Sequence, residues 1–232
     1  MTSTKQCLFW LITLPLFLML LSPDIFAHGV DENTKRFLLE LQGVAIGPFL
    51  YIGAKHMVTG YDHLLFLVGV IFFLFRTRDV LIYVSLFTLG HSLTLFFGVL
   101  KNFNVDPFLI DAIIGLSIVY KGFDNLGGFR RVLGVQPNTK IAVMIFGLFH
   151  GFGLATKLQD FSLPQTDLWK NLLAFNVGVE LGQFFALIFI LIALNFWRRH
   201  KSFYAFSTTT NTLLMSSGLI LFGYQITGYL IR

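Results

Sequence analysis

Residues 80–100, VLIYVSLFTLGHSLTLFFGVL, form an apolar run of membrane-spanning length. The run contains one histidine, His91, and no Asp, Glu, Lys or Arg. About 20 consecutive apolar residues are enough for a helix to cross the hydrocarbon core of a bilayer. The stretch therefore predicts a transmembrane helix. An ionisable group at that depth is costly and usually faces a bundle interior or a polar cavity, so His91 also indicates a functional site.

The composition extends this interpretation to the whole chain. Hydrophobic residues make up 55% of the 232 residues and charged residues 12%, with a mean hydropathy of +0.74. Soluble domains carry about 25% charged residues. We predict an all-α, polytopic membrane bundle with six transmembrane helices after a cleavable signal peptide. The predicted spans are 57–75, 80–100, 107–124, 140–158, 169–197 and 209–231.

Residues 1–27 have the pattern of a secretory signal peptide. Lys5 precedes an apolar core at 8–21, and Ala27 ends an acceptable cleavage site. An uncleaved first helix is the alternative. Cleavage would remove the single cysteine and leave His28 at the mature amino terminus, so any metal site would use nitrogen and oxygen ligands.

The segment 28–56 is predicted to be extracytoplasmic or interfacial. Its apolar part, 43–55, contains Gly and Pro residues and is short for a span. The transmembrane domain would then cover 57–232.

The charge pattern predicts the orientation of the bundle. The loops 76–79, 121–140 and 198–201 hold nine Lys and Arg residues, whereas the loops 101–106 and 157–170 hold three. The positive-inside rule places the basic loops in the cytoplasm and the mature amino terminus outside, in a bacterial-type inner membrane. Because the basic residues lie at helix ends, the net charge of +5 does not indicate a nucleic-acid partner.

Several ionisable residues lie in or beside the predicted spans, and most are histidine, the commonest metal-binding side chain. Counting residues along each helix places all of them in the outer half of the bundle, with Asp62 and His63 near the outer face. We therefore predict a metal site between the helices. Its candidate ligands are His56, Asp62, His63, His91, His150 and Glu180.

The first motif runs from His56 to His63. In a continuous helix these two histidines would share a face at i and i+7, with Gly60 between them. Gly60 would let a neighbouring helix or a ligand approach closely. Asp62 would either bind the metal or orient a histidine through a hydrogen bond.

Further polar residues are predicted to line the site. Thr88 and Ser92 flank the histidine of the second span, and Asn176, Glu180 and Gln183 share one face of the fifth. Such a stripe on an apolar helix indicates a cavity lining, and interhelical hydrogen bonding is the alternative.

Two glycines frame the histidine of the fourth predicted span. Gly147 and Gly151 form a G-x-x-x-G pair on either side of His150. This pattern is typical of a close-packing helix face, which would bring His150 against other helices.

Four motifs follow one another along the chain: His56-x3-Gly60-x-Asp62-His63, Phe87-Thr88-x-Gly90-His91-Ser92, Phe146-Gly147-Leu148-x-His150-Gly151-Phe152-Gly153 and Phe175-Asn176-x-Gly178-x-Glu180-x-Gly182-Gln183. Together they resemble the motifs of the HupE/UreJ family of membrane proteins. The resemblance covers the chain from about residue 50 to its end and is closer to the broader branch of the family than to its nickel permeases. Met57 stands where the nickel permeases usually have proline, and the motif around His150 lacks the second nearby histidine of those proteins. The resemblance implies a metal-binding role for His56, Asp62 and His63.

The leading functional hypothesis is a permease or uptake protein for a divalent transition metal, Ni, Co, Zn or Cu. The ion would be caught at the outer mouth by the motif at 56–63. It would then pass to a midplane site formed by His91, His150 and Glu180.

Two alternatives remain open at this stage. The first is an intramembrane zinc-dependent hydrolase, with His63, His91 and His150 as ligands and Glu180 or Asp62 as general base. The second is an accessory membrane subunit that binds metal without transporting it. The expected partners are the lipid bilayer and the metal ion, and the sequence leaves open whether the chain forms a homo-oligomer.

Overall fold

The computed structural model describes residues 43–159 and 167–231. The predicted signal peptide and most of the segment 28–56 lie outside these residues. Eight helices form the described part of the chain. They are α1 (Ile46–Thr59), α2 (Tyr61–Ile71), α3 (Thr77–Lys101), α4 (Pro107–Asn125), α5 (Gly128–Leu133), α6 (Thr139–Gln159), α7 (Leu168–Arg198) and α8 (Ser202–Leu230).

The described part is an all-helical bundle, as the sequence predicted. Helices α3, α6, α7 and α8 are long and apolar enough to cross a membrane. They correspond to four of the six predicted spans. The chain is therefore a multi-pass membrane protein by its helices.

The first predicted span, 57–75, is wrong in its boundaries. Helix α1 begins at Ile46, and the chain breaks at Gly60 before α2. The Pro and Gly residues at 43–55 do not prevent a helix. Pro48 lies in the first turn, where backbone N–H groups have no intrahelical partner. Gly53 packs against α7, where a Cβ atom would overlap the carbonyl oxygen of Phe175.

Three helix pairs are held together at close range through glycine: α1 with α7, α3 with α6, and α4 with α8. A Cβ atom at Gly178 of α7 would overlap the carbonyl oxygen of Leu50 in α1. In the α4–α8 pair, a Cβ atom at Gly115 would lie 2.9 Å from the carbonyl oxygen of Gly218. Small residues at these crossings let the backbones approach, as in other membrane helix pairs.

One end of the bundle brings together the chain segments predicted to carry the basic loops. The Arg198 guanidinium donates hydrogen bonds to the carbonyl oxygens of Ile71 and of Phe72, the latter at 2.8 Å. The ring of Phe72 stacks on that of Phe203, with centroids 5.1 Å apart. We call this the basic end. At the opposite end, Lys157 of α6 forms an ion pair with Asp111 of α4 at 2.9 Å.

Two apolar cores fill the bundle, and α3 contributes to both. Val80 and Phe87 belong to the core nearer the basic end, and Leu95 and Val99 to the other. His91 lies between these two pairs along the helix. The fold therefore places the histidine of the deciding stretch between the two cores.

Candidate metal-binding site

Four helices bring four histidines together between the two cores. His63 of α2, His91 of α3 and His150 of α6 are 3%, 2% and 1% exposed. The ring of His63 has its centroid 4.8 Å from that of His150 and 6.1 Å from that of His91. His56 of α1 is half-buried, with its centroid 5.2 Å from that of His63. We call these four residues the histidine cluster.

The cluster lies about halfway along the long helices of the bundle. Helix α1 packs along the first half of α7, and His56 lies near the end of α1 that reaches the middle of α7. A Cβ atom at Gly182 would lie 2.6 Å from the carbonyl oxygen of Ala54 and 3.0 Å from Cβ of Met57. Gly182 is about 21 Å from the start of α7 at 1.5 Å per residue. Asp62 and His63, which we predicted near the outer face and apart from the midplane histidines, lie in the same region as His91 and His150, because the chain enters the bundle earlier than expected. The separate outer and midplane positions merge into one cluster.

The i, i+7 helical face predicted for His56 and His63 is also wrong, because the helix is interrupted between them. The N–H of Gly60 donates to the carbonyl oxygen of His56 at 2.8 Å and ends α1. The two rings approach each other across this break. A Cβ atom at Gly60 would lie 3.0 Å from Nδ1 of His63 and 3.3 Å from Oδ1 of Asp62. Glycine therefore leaves room for this pair rather than for a neighbouring helix.

Asp62 orients His63 from the start of α2. Its Oδ1 accepts the backbone N–H of His63 at 2.7 Å and the ring Nδ1–H at 2.8 Å. Because a carboxylate only accepts hydrogen bonds, the neutral His63 ring carries its proton on Nδ1 and its lone pair on Nε2. No described residue hydrogen-bonds to that buried Nε2.

The other two buried histidines differ in how their nitrogens are satisfied. Nδ1 of His150 donates to the carbonyl oxygen of Phe146 at 2.7 Å, which leaves the lone pair of the neutral ring on Nε2. His91 has no hydrogen-bond partner at either ring nitrogen among the described residues. A buried polar group without a partner costs about 1–3 kcal/mol. The unsatisfied nitrogens of His91 and His63 therefore point to a ligand.

The four predicted lining residues connect α3 with α7. Thr88 donates to Oε1 of Gln183 at 3.0 Å, and Ser92 donates to Oδ1 of Asn176 at 3.0 Å. The Nδ2 group of Asn176 donates to Oε1 of Glu180 at 3.2 Å. Glu180 is exposed on the outside of α7, so the structure does not bring it into the histidine cluster.

Gly147 and Gly151 both lie where α6 crosses α3. A Cβ atom at Gly147 would overlap the carbonyl oxygen of Phe87, and one at Gly151 would overlap that of His91. This close crossing is what holds His150 beside the helix that carries His91.

The histidines approach one another without forming a ready-made metal site. Among residues 43–159 and 167–231, no group of three or more His, Cys, Asp or Glu side chains is arranged to hold a metal ion. An ion shared by these imidazoles would require their rings to turn.

Two largely buried ion pairs are not apparent from the sequence, in which their lysines stand in the segments predicted as loops. Lys121 lies within α4 and bonds to Asp124 at 2.7 Å, and Lys157 lies within α6 and bonds to Asp111. The i, i+3 spacing of Lys121 and Asp124 inside an apolar segment was a signal that could have identified the first pair.

A helical bundle with four helices long and apolar enough to cross a membrane defines a multi-pass membrane protein, here with histidines buried between its helices. The family model of the HupE/UreJ proteins matches residues 32–232, and the chain therefore belongs to this family. No match to the chain was found among curated proteins or among solved structures.

Proposed function

We propose that this protein is a permease for a divalent transition metal and that the ion binds at the histidine cluster. The observation that carries the proposal is the buried, unsatisfied nitrogens of His63 and His91, whose ring centroids lie 6.1 Å apart. A transition-metal ion is a suitable partner, because neutral imidazole is a good ligand for Ni, Co, Cu and Zn.

The spacing of the rings supports this assignment. With metal–nitrogen bonds of about 2.0–2.1 Å and tetrahedral angles, imidazoles that share an ion have centroids about 5 Å apart. The centroid distances from His63 to His56, His91 and His150 are 5.2, 6.1 and 4.8 Å. For their nitrogens to reach one ion, the rings around His63 would have to turn from the observed orientations. Asp62 would hold the ring of His63 in the ligating tautomer.

The break between α1 and α2 suits a transport site. Transporters commonly bind their cargo near the midplane at discontinuous helices, where helix ends are available to the ion. We infer that α1 and α2 together make one broken crossing and that α4 makes another. With the four longer helices this gives six crossings.

The same topology defines the proposed orientation. The basic end would face the cytoplasm and the mature amino terminus would lie outside, after removal of a signal peptide at 1–27. The protein would act in a bacterial-type inner membrane. Transport would carry the ion between the two ends of the bundle, one marked by Asn171 near the start of α7 and the other, the basic end, marked by Arg198.

The zinc-dependent hydrolase is not adopted as a second function. Its predicted general base, Glu180, is exposed and bonded to Asn176. The other candidate base, Asp62, is engaged by the ring and backbone of His63. No observation on the described residues favours hydrolysis over transport.

The test is Co²⁺ flux into proteoliposomes that contain the purified protein and an internal fluorescent indicator. We expect His63→Ala and His91→Ala each to lower the flux at least about tenfold, since each removes a ligand. His200→Ala is the matched control, because His200 is exposed at the basic end. Flux equal to that of the native protein in both cluster variants, at equal reconstitution, would overturn the proposal.

A further inference from the structure

A second polar site lies near the basic end, in a cavity of about 280 Å³. Its polar wall includes Lys121, Asp124, Gln136 and Thr139, and Val70 is part of its apolar wall. The side chains of Lys121 and Asp124 are 6% and 8% exposed. Buried charged groups beside a cavity in a membrane protein usually mark an ion pathway.

The Asp124 carboxylate is surrounded by hydrogen-bond donors. It accepts from the Lys121 ammonium at 2.7 Å, from Nε2 of Gln136 at 2.6 Å and from the hydroxyl of Thr139 at 3.3 Å. Carboxylate, amide and hydroxyl oxygens are also ligands for divalent cations. In the observed arrangement Lys121 occupies the position of a cation on this carboxylate.

This cavity adjoins a narrow one that reaches the histidine cluster. The narrow cavity has a volume of about 10 Å³, room for about one water molecule. His63 and Gln183 line it, and Val70 and Tyr83 line both cavities. Along the axis of α2, Val70 lies about 10 Å beyond His63. The two sites are therefore separated by a thin apolar wall.

We propose that the larger cavity is the second chamber of the cation path, in which Lys121 acts as a tethered cation on Asp124. This inference rests on the proposed transport function. The Lys121 ammonium neutralises the carboxylate while the path is empty. A divalent cation arriving past Val70 and Tyr83 takes the place of the ammonium, which moves into the cavity and returns when the ion leaves.

This exchange gives a role to the buried positive charge of Lys121, which would otherwise repel a transported cation. Asp124 attracts the ion, and the returning ammonium prevents the ion from remaining bound. Conduction needs binding that is strong enough for entry and weak enough for release. Imidazole nitrogen ligands at the cluster and carboxylate and hydroxyl oxygen ligands at Asp124 would give the path two sites of different strength.

The binding test measures the stoichiometry of Co²⁺ on purified protein. Lys121→Met removes the tethered charge while keeping an apolar chain of similar length. We expect Lys121→Met to bind about one Co²⁺ per chain more than the native protein, because Asp124 becomes available to the ion. The double variant K121M/D124N should lose this additional ion. Equal stoichiometry in all three proteins would overturn the proposal.

The flux test uses the second buried Lys–Asp pair of the protein as its matched control. Asp111 and Lys157 are 8% and 13% exposed in their side chains, and they line neither cavity. We expect Asp124→Asn to retain Co²⁺ binding at the cluster and to lower the flux at least about tenfold. Asp111→Asn should change the flux by no more than about twofold.

The outcomes separate this inference from the proposed function. Equal flux in Asp124→Asn and Asp111→Asn, with flux lost in His91→Ala, would overturn the second chamber alone. Absence of Co²⁺ flux in the native protein would overturn the transport function and the chamber with it. If Asp124→Asn does not fold, K121M/D124N replaces it, because removing both charges leaves no unpaired ion. Native-like flux in that double variant would overturn the chamber.

Discussion

Replacement of His91 by leucine should stabilise the metal-free protein. A neutral imidazole has one donor and one acceptor nitrogen, and neither has a partner among the described residues. Each unsatisfied group costs about 1–3 kcal/mol, whereas an apolar side chain of similar size leaves nothing unsatisfied. Allowing for some lost packing, we expect His91→Leu to raise the free energy of unfolding by about 1–3 kcal/mol. In a chain of this size that raises the unfolding midpoint by about 2–12 °C.

The same substitution should remove stabilisation by metal. Co²⁺ at a concentration 100 times its dissociation constant would add about 2.7 kcal/mol to the native protein. It should add nothing to His91→Leu. The difference between the unfolding midpoints of the two proteins should therefore become smaller, or change sign, when Co²⁺ is present. The assay is thermal unfolding of purified protein in detergent with and without Co²⁺.

Asn211→Leu is the matched control for this prediction. Asn211 is also fully buried, but its amide accepts from Asn125 at 2.8 Å and donates to the carbonyl oxygen of Ser207 at 2.9 Å. Its replacement should destabilise the protein by about 1–3 kcal/mol. A His91→Leu variant that is destabilised as much as Asn211→Leu would refute the claim that His91 lacks a partner in the metal-free protein.

Four further predictions follow from the same geometry. Asp62→Asn, which removes the charge that orients His63, should raise the Co²⁺ dissociation constant about 10–100-fold in a chelator competition assay. Gly178→Ala should destabilise the α1–α7 pair by about 1–3 kcal/mol in a detergent unfolding titration, whereas Gly223→Ala, which has open space around it, should be neutral or stabilising. Glu180→Gln should change Co²⁺ flux by no more than about twofold, because the residue is exposed. Flux should fall as the solution is acidified, because protons compete with the ion for the imidazole nitrogens.

Each of these predictions has an outcome that contradicts it. Asp106→Asn is the control for the first, since Asp106 accepts the N–H of Phe108 at 2.9 Å as a helix cap on α4. Equal Co²⁺ affinity in Asp62→Asn and Asp106→Asn would show that the carboxylate does not act through His63. Loss of flux in Glu180→Gln would place that residue on the path. A pH-independent flux would argue against imidazole ligands.

Four of the predicted spans and the burial of His63, His91 and His150 were predictable, because both depend on patterns within single helices. The apolar run at 80–100 has the length of a crossing, and α3 occupies Thr77–Lys101. Each histidine is a costly group in an apolar segment, which directs it to the interior whatever the neighbouring helices are.

The boundaries of the helices in the first predicted span were not predictable from composition. Gly53 was interpreted as an interruption, although it provides the close contact of α1 with α7. Whether a glycine breaks a helix or packs it depends on the facing helix, which the local sequence does not contain. Gly60 shows the other outcome, since the helix does end there.

The roles of charged residues depended on their neighbours in the same way. Glu180 shares a helical stripe with Asn176, but it lies at the edge of that stripe and is exposed. Lys121 was counted as a basic loop residue, although it is buried against Asp124 within α4. Spacing along one helix gives the direction of a side chain around the helix axis. Only the packing of the helices decides whether that direction faces a cavity, a partner or the outside.

The central claim, that the histidine cluster binds a transition metal, is tested most directly by equilibrium Co²⁺ binding to the purified protein, followed by the optical spectrum and the metal content. The account predicts about one Co²⁺ per chain at the cluster, with a spectrum typical of nitrogen ligation. The double variant H63A/H91A should lose this ion. Equal binding and an unchanged spectrum in the native protein and the double variant would contradict the account.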